Sequence, residues 1–166
     1  MAGFRLSHYV SGGLVLVFAA AAVSGSRLNT SPSLPAGLYV PGGNLALFCP
    51  EEPYASLALR RQYRIAGSCP DGGEPLLKPV VARAGDAVQM SAVGISVNGK
   101  LLENTAPLMR DSAGRPIAPY PAGTYKVQPG TVWVASSYSA KSFDSRYFGA
   151  VEESRITSYL QPLLVR

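Results

Sequence analysis

Apolar and polar positions divide the chain unevenly: one long uncharged stretch leads, and short apolar runs broken by turn residues follow. From Leu6 to Ser26 no residue is charged at neutral pH over twenty-one positions, and Tyr9–Val23 is mostly apolar or small. As a helix that stretch spans roughly 31 Å, matching a hydrocarbon core of about 30 Å. It predicts a single transmembrane helix, with Arg5 holding the amino terminus on the cytoplasmic side. A cleaved secretory signal is the competing reading, because the apolar region is short and ends in small residues, Ala20–Ser24. Both readings export the rest of the chain. The expected organisation is a membrane anchor over residues 1–28 and an exported domain over 29–166.

Beyond the anchor, Ser31–Pro41 cannot be helical, since Pro32, Pro35 and Pro41 interrupt it. Leu45–Phe48 reads as a short strand. Glu51–Arg64 opens on acids and ends on arginines, which suits a helix dipole and predicts one helix. Gly67–Pro75 is a loop. Strands then dominate: Leu76–Ala82, Ala87–Met90, Ile95–Val97, Thr124–Val127, Thr131–Ala135 and Ile156–Leu164. Asn98–Gly99 marks a type I′ hairpin, and Gln128–Pro129–Gly130 another turn. The pattern predicts a mainly β, antiparallel domain with one short helix behind a membrane stem.

Composition narrows the chemistry. With 166 residues the chain is one domain. It is 47% hydrophobic and 15% charged, which excludes disorder. The net charge is +5, but the eleven arginines are scattered and no basic run occurs, so nucleic acid is not expected as a partner. One histidine, His8, lies before the apolar stretch, and the two cysteines are Cys49 and Cys69. That inventory assembles no zinc site and no histidine-based triad, and it calls for no cofactor. In an oxidising compartment Cys49 and Cys69 pair, closing a loop worth about 3 kcal/mol; the other reading is two buried thiols.

Three segments carry candidate chemistry. Asn29-Thr-Ser-Pro-Ser-Leu-Pro presents a serine between prolines on extended backbone, which is also what a juxtamembrane linker looks like. Lys78, within Leu-Leu-Lys-Pro-Val-Val, is a cation in an apolar run. It is either an edge-strand lysine that discourages aggregation or a desolvated amine fit to act as a base. Arginine cannot serve as that base, and of the four lysines Lys78 has the most apolar neighbours. Ser142-Phe-Asp-Ser-Arg-Tyr-Phe-Gly149 suits a buried hydrogen-bonded network, or a capped turn with one Asp144–Arg146 ion pair.

In this order behind an apolar stem, the three segments resemble the signal peptidase family that uses a Ser/Lys dyad. Ser33 in Ser-Leu-Pro matches the nucleophile, and Lys78 through Gly85-Asp86 matches the lysine box. Asp144-Ser145-Arg146-Tyr-Phe-Gly149 matches the late box. The Ser-Leu-Pro-x-Gly-Leu-Tyr form, with Phe48-Cys-Pro and Gly67-Ser-Cys-Pro, looks closest to TraF-type conjugative-transfer peptidases. Pro79, Asn44 and Ala84 depart from common family residues without touching a dyad atom.

The resemblance implies a signal-peptidase-type β domain and an acyl-enzyme on Ser33, with Lys78 as general base. It implies an oxyanion hole from the Ser31 hydroxyl and the Ser33 N–H. Asp144, Ser145 and Arg146, with Gly85 and Asp86, support the site. It further implies single-pass placement in the bacterial inner membrane with the domain in the periplasm. Ser33 lies seven residues past Ser26, at most about 25 Å, so the substrate is a peptide tethered to or emerging from the bilayer. A pilin precursor is the implied substrate, its ester resolved by water or by the pilin's own amine. A general leader peptidase and a catalytically inactive membrane-tethered binding module are the alternatives.

Overall fold

The computed structural model describes residues 25–166, so the expected span Leu6–Ser26 lies, but for its last two residues, outside the described residues. Within them no helix is long and apolar enough to cross a membrane. The chain order is β1 (Arg27–Asn29), β2 (Gly37–Phe48), α1 (Tyr54–Arg60), β3 (Leu76–Ala82), β4 (Ala87–Ser91), β5 (Gly94–Val97) and β6 (Lys100–Leu101). It continues with β7 (Gly123–Lys126), β8 (Thr131–Val134), α2 (Ser145–Phe148), β9 (Val151–Glu152) and β10 (Ile156–Val165). A larger antiparallel sheet runs β1-β2-β3-β8-β9, with β10 also paired along β2; a smaller one runs β6-β5-β4-β7. Among the described residues the mainly β architecture holds, and α2 adds a four-residue helix to the short one expected.

Local chemistry explains where elements stop. The helix expected over Glu51–Arg64 is confined to Tyr54–Arg60. Gln62 adopts φ 60°, and the Tyr63 and Gln62 N–H groups donate to Ala58 and Leu59 carbonyls, the left-handed closure that ends helices. Strand β2 extends far upstream of Leu45, through Pro41, Gly42 and Gly43. Its pairing with β10 jumps from Ala46↔Tyr159 to Pro41↔Leu160, so the two glycines form a wide bulge with φ of 113° and 74°. A Cβ on Gly43 would lie 2.6 Å from Gln161, so only glycine fits there.

Two crossovers link the sheets. Gly85 and Asp86 carry the chain from β3 to β4, and Val127–Gly130 carries it back from β7 to β8. They hold each other: Gly85 N–H donates to the Val127 carbonyl, and Val127 N–H to the Asp86 carbonyl. The Asp86 carboxylate accepts from Arg83 N–H and Asn98 Nδ2, each at 2.8 Å. The main core packs Ala46, Phe48, Leu76, Val80, Val132, Val134, Phe143 and Tyr147 between the larger sheet and α1. Trp133 and its neighbours Tyr120 and Tyr125 fill the space against the smaller sheet. Cys49 and Cys69 are joined as a disulfide, tying the end of β2 to the loop before β3.

Candidate active site

Lys78 sits on β3, an interior strand flanked by β2 and β8, opposite Ala46. That position removes the edge-strand reading of this lysine. Side chains alternate along a strand, so Lys78 shares its face with Leu76 and Val80, both in the main core, whereas Leu77 packs with Leu34, Tyr39, Leu47 and Leu160 on the other face. Only 3% of Lys78 is exposed. Desolvation pushes its pKa down to about 8; Asp144 opposes that shift and Arg146 reinforces it. At pH 7 an amine with that pKa is neutral in roughly a tenth of molecules, against a few in ten thousand for a free lysine.

Ser33 lies in the loop joining β1 to β2, and its side chain opens onto the same cavity as Lys78. This cavity, about 550 Å³, is walled on its apolar side by Leu76, Ile117, Phe143 and Tyr147. The two residues line one space; Ser33 Oγ accepts from Ser31 Oγ, and no hydrogen bond joins it to Lys78 Nζ. Such contacts often tighten only when substrate binds. Ser33 N–H donates to Ser31 Oγ, and Ser31 Oγ donates to Ser33 Oγ, both at 3.3 Å. The two donors expected to form the oxyanion hole are therefore engaged within the loop, the Ser33 N–H on Ser31 Oγ and the Ser31 hydroxyl on Ser33 Oγ, through long bonds that a carbonyl oxygen can displace.

The loop is held from three sides. Asn29 Nδ2 donates to the Ser31, Leu34 and Pro35 carbonyls at 3.2–3.3 Å, while its Oδ1 accepts from Ser31 N–H. Tyr39 donates its hydroxyl to the Pro35 carbonyl at 2.7 Å. Ser136, just past β8, donates its hydroxyl to the Ser33 carbonyl. Ser136 N–H in turn donates to Asp144 Oδ2 at 3.0 Å, and its carbonyl accepts from Arg146 Nη2 at 2.9 Å.

Asp144 and Arg146 are wholly buried and face each other in a bidentate pair, with Nε–Oδ1 at 2.8 Å and Nη2–Oδ2 at 3.0 Å. The remaining guanidinium donors reach the Asn104 and Ala140 carbonyls, so every Arg146 N–H has a partner. Asp144 also caps α2 by accepting from Arg146 N–H, and Ser145 Oγ accepts from Val134 N–H. Both readings of this segment are thus realised in one network, which connects α2 to β8 and, through Ser136, to Ser33.

The signal peptidase, peptidase S26, family model matches residues 7–163. The chain belongs to that family. Its relatives include a plasmid transfer protein TraF of Escherichia coli, 38% identical over 96% of each chain. A probable conjugal transfer protein TraF of Sinorhizobium fredii is 36% identical over 87% of this chain and 80% of its own. A conjugal transfer protein TraF of Agrobacterium fabrum is 35% identical over 85% and 83%. A solved signal peptidase I from Enterococcus faecalis aligns with 71% of this chain and 93% of its own at 19% identity, with a TM-score of 0.39.

In this S26 chain the predicted residues divide by position. Ser31, Ser33 and Lys78 line the cavity; Asp144, Ser145 and Arg146 stand behind it; Gly85 and Asp86 lie at the inter-sheet corner, outside the cavity lining. Sequence reading missed Asn29, Tyr39 and Ser136. Asn29 carried a signal, since an Asn two residues before Ser-Pro favours an Asx turn. Ser136 carried none, being 103 residues from the carbonyl it holds.

Proposed function

We propose that this chain is a membrane-anchored serine endopeptidase of signal-peptidase type. In this reading it processes a pilin precursor, or another exported protein of conjugative transfer. Ser33 Oγ attacks the scissile carbonyl while neutral Lys78 Nζ takes the hydroxyl proton. Ser33 N–H leaves Ser31 Oγ, and the Ser31 hydroxyl leaves Ser33 Oγ, for the developing oxyanion. The C–N bond then breaks, the leaving amine takes the proton back from Lys78, and water or a substrate amine resolves the ester on Ser33. Asp144, Ser145 and Arg146 hold the dyad in place and move no proton.

The observation that carries this reading is a lysine buried in an apolar core face, its amine depressed to about 8, opening onto the cavity that holds Ser33. The TraF relatives supply the conjugative context. Placement in the inner membrane, with the domain in the periplasm, is supported by the uncharged stretch Leu6–Ser26 and by an apolar patch where the described chain begins. There Leu28 pairs with Leu38 and Leu38 with Leu164; Leu28 and Leu164 are 64% and 74% exposed, a surface suited to lipid.

The test is co-expression with a tagged pilin precursor from the same transfer system. Processing is expected with the wild type, and a loss of at least about a thousandfold with Ser33→Ala or Lys78→Ala, both variants still melting cooperatively. Processing that survives both substitutions would leave only the binding-module reading.

A further inference from the structure

The cavity has a second wall that the proposed chemistry does not use. The connection from β6 to β7, residues 102–122, folds its tip over the site as a small hairpin bridged at Arg110↔Pro116. With the end of α1 and the segment before α2, it lines the opening with Arg61, Arg110, Arg115 and Lys141. Asp111 is the one acid among the described residues of that lining.

Asp111 is fully committed. It accepts from Tyr63 Oη and Arg115 Nε at 2.7 Å, and from the Ala113 and Arg115 N–H groups at 2.9 Å. Desolvation works against its charge, but these bonds outweigh it and hold the carboxyl far below the ordinary range. Asp111 therefore neutralises Arg115 and, at 3.7 Å, part of Arg61, whose guanidinium is also tied to the Pro116 carbonyl. Among the described residues the Arg110 side chain donates only to the Gly114 carbonyl, and Lys141 contributes only its backbone N–H to a bond. Both are exposed and have no carboxylate partner among the described residues. They line one cavity that holds no free acid among the described residues, and an anion entering it would meet that uncompensated positive charge.

The geometry points to a carboxylate-reading subsite: Arg110 and Lys141 bind an acidic group of the substrate close to the scissile bond. The inference rests on Ser33 marking the point of cleavage. A cavity of this volume holds on the order of two to four residues of extended chain, at about 3.4 Å each, so the recognised group lies within that distance of the cut. The carboxylate is either an Asp or Glu side chain or the free end of the substrate chain.

Binding separates this idea from the chemistry. The full-length Ser33→Ala protein in detergent micelles is titrated with four fluorescent alanine-rich decapeptides. They carry Glu or Gln at one central position and end in a free acid or an amide. About tenfold tighter binding is expected for peptides with the favoured carboxylate, fading between 50 and 500 mM salt. Arg110→Gln/Lys141→Gln should bring the ratio close to one, and Arg110→Glu/Lys141→Glu should favour a Lys peptide instead. A Glu-over-Gln preference assigns the side chain, and an acid-over-amide preference assigns the chain end. Equal affinity for all four peptides, no binding of any, or a preference untouched by the double variant overturns the subsite. None of these outcomes depends on whether Ser33 is the nucleophile, which the processing assay decides separately.

Discussion

Lys78 occupies a place that an apolar residue would fill more cheaply, between Leu76 and Val80 on the face that builds the main core. Depressing its pKa from 10.5 to about 8 corresponds to about 3 kcal/mol of native-state penalty while the amine is protonated. The unfolded chain keeps a proton that the folded one releases between those two values, so this group makes stability rise with pH from about 8 to 10.5. Lys78→Met should therefore raise the unfolding free energy by up to about 3 kcal/mol below pH 8. In thermal melts the gain should fade between about pH 8 and 10.5 and be gone above that, while processing is abolished. The position of Lys78 was legible because a charge interrupts an apolar run. The holding groups were not: Ser136 and Asn29 are ordinary polar residues whose partners are fixed only once β1, β2 and β8 assemble.

At the scale of elements, the site is a loop braced against a helix. The short α2 buries Asp144 and Arg146, and Ser136 passes that rigidity to the Ser33 carbonyl. Asp144→Ala leaves a guanidinium buried without its counter-charge and should cost about 3–5 kcal/mol in chemical denaturation. Removing Arg146 as well should cost less than the sum of the single changes, as a double-mutant cycle would show. Asn29→Ala frees three loop carbonyls; kcat is expected to fall about tenfold, because the loop no longer presents Ser33 in one geometry. Element type was readable where local chemistry decides it, as in Leu76–Ala82 and the Asn98–Gly99 hairpin, with φ of 50° and 82°. Boundaries failed where distant contacts decide them. Pro41-Gly-Gly looked like the end of a linker because its bulge exists only against β10, whereas α1 stops early for a local reason, a left-handed Gln62.

Across the described residues, the larger sheet carries the proposed reacting groups, and the smaller one packs against it through Trp133 at a corner fixed by Gly85 and Asp86. That division explains why the Gly-Asp pair, although part of the lysine box, stands outside the cavity. The basic wall was invisible in sequence because its cations come from Arg61 at the end of α1, from residues 102–122 and from Lys141. The disulfide joins two segments flanking α1, and Cys49→Ser/Cys69→Ser should lower the unfolding free energy by about 3 kcal/mol without moving the pH profile. In the proposed mechanism all of these features serve one amine that must be neutral to activate one hydroxyl. The most direct measurement is acylation of the full-length protein by p-nitrophenyl acetate from pH 6 to 10, read by intact mass and peptide mapping. A single adduct on Ser33 is predicted, its rate rising with pH to half-maximum near 8 and absent in Lys78→Met. An adduct on another residue, or a Ser33 adduct forming at the same rate without Lys78, would contradict the account.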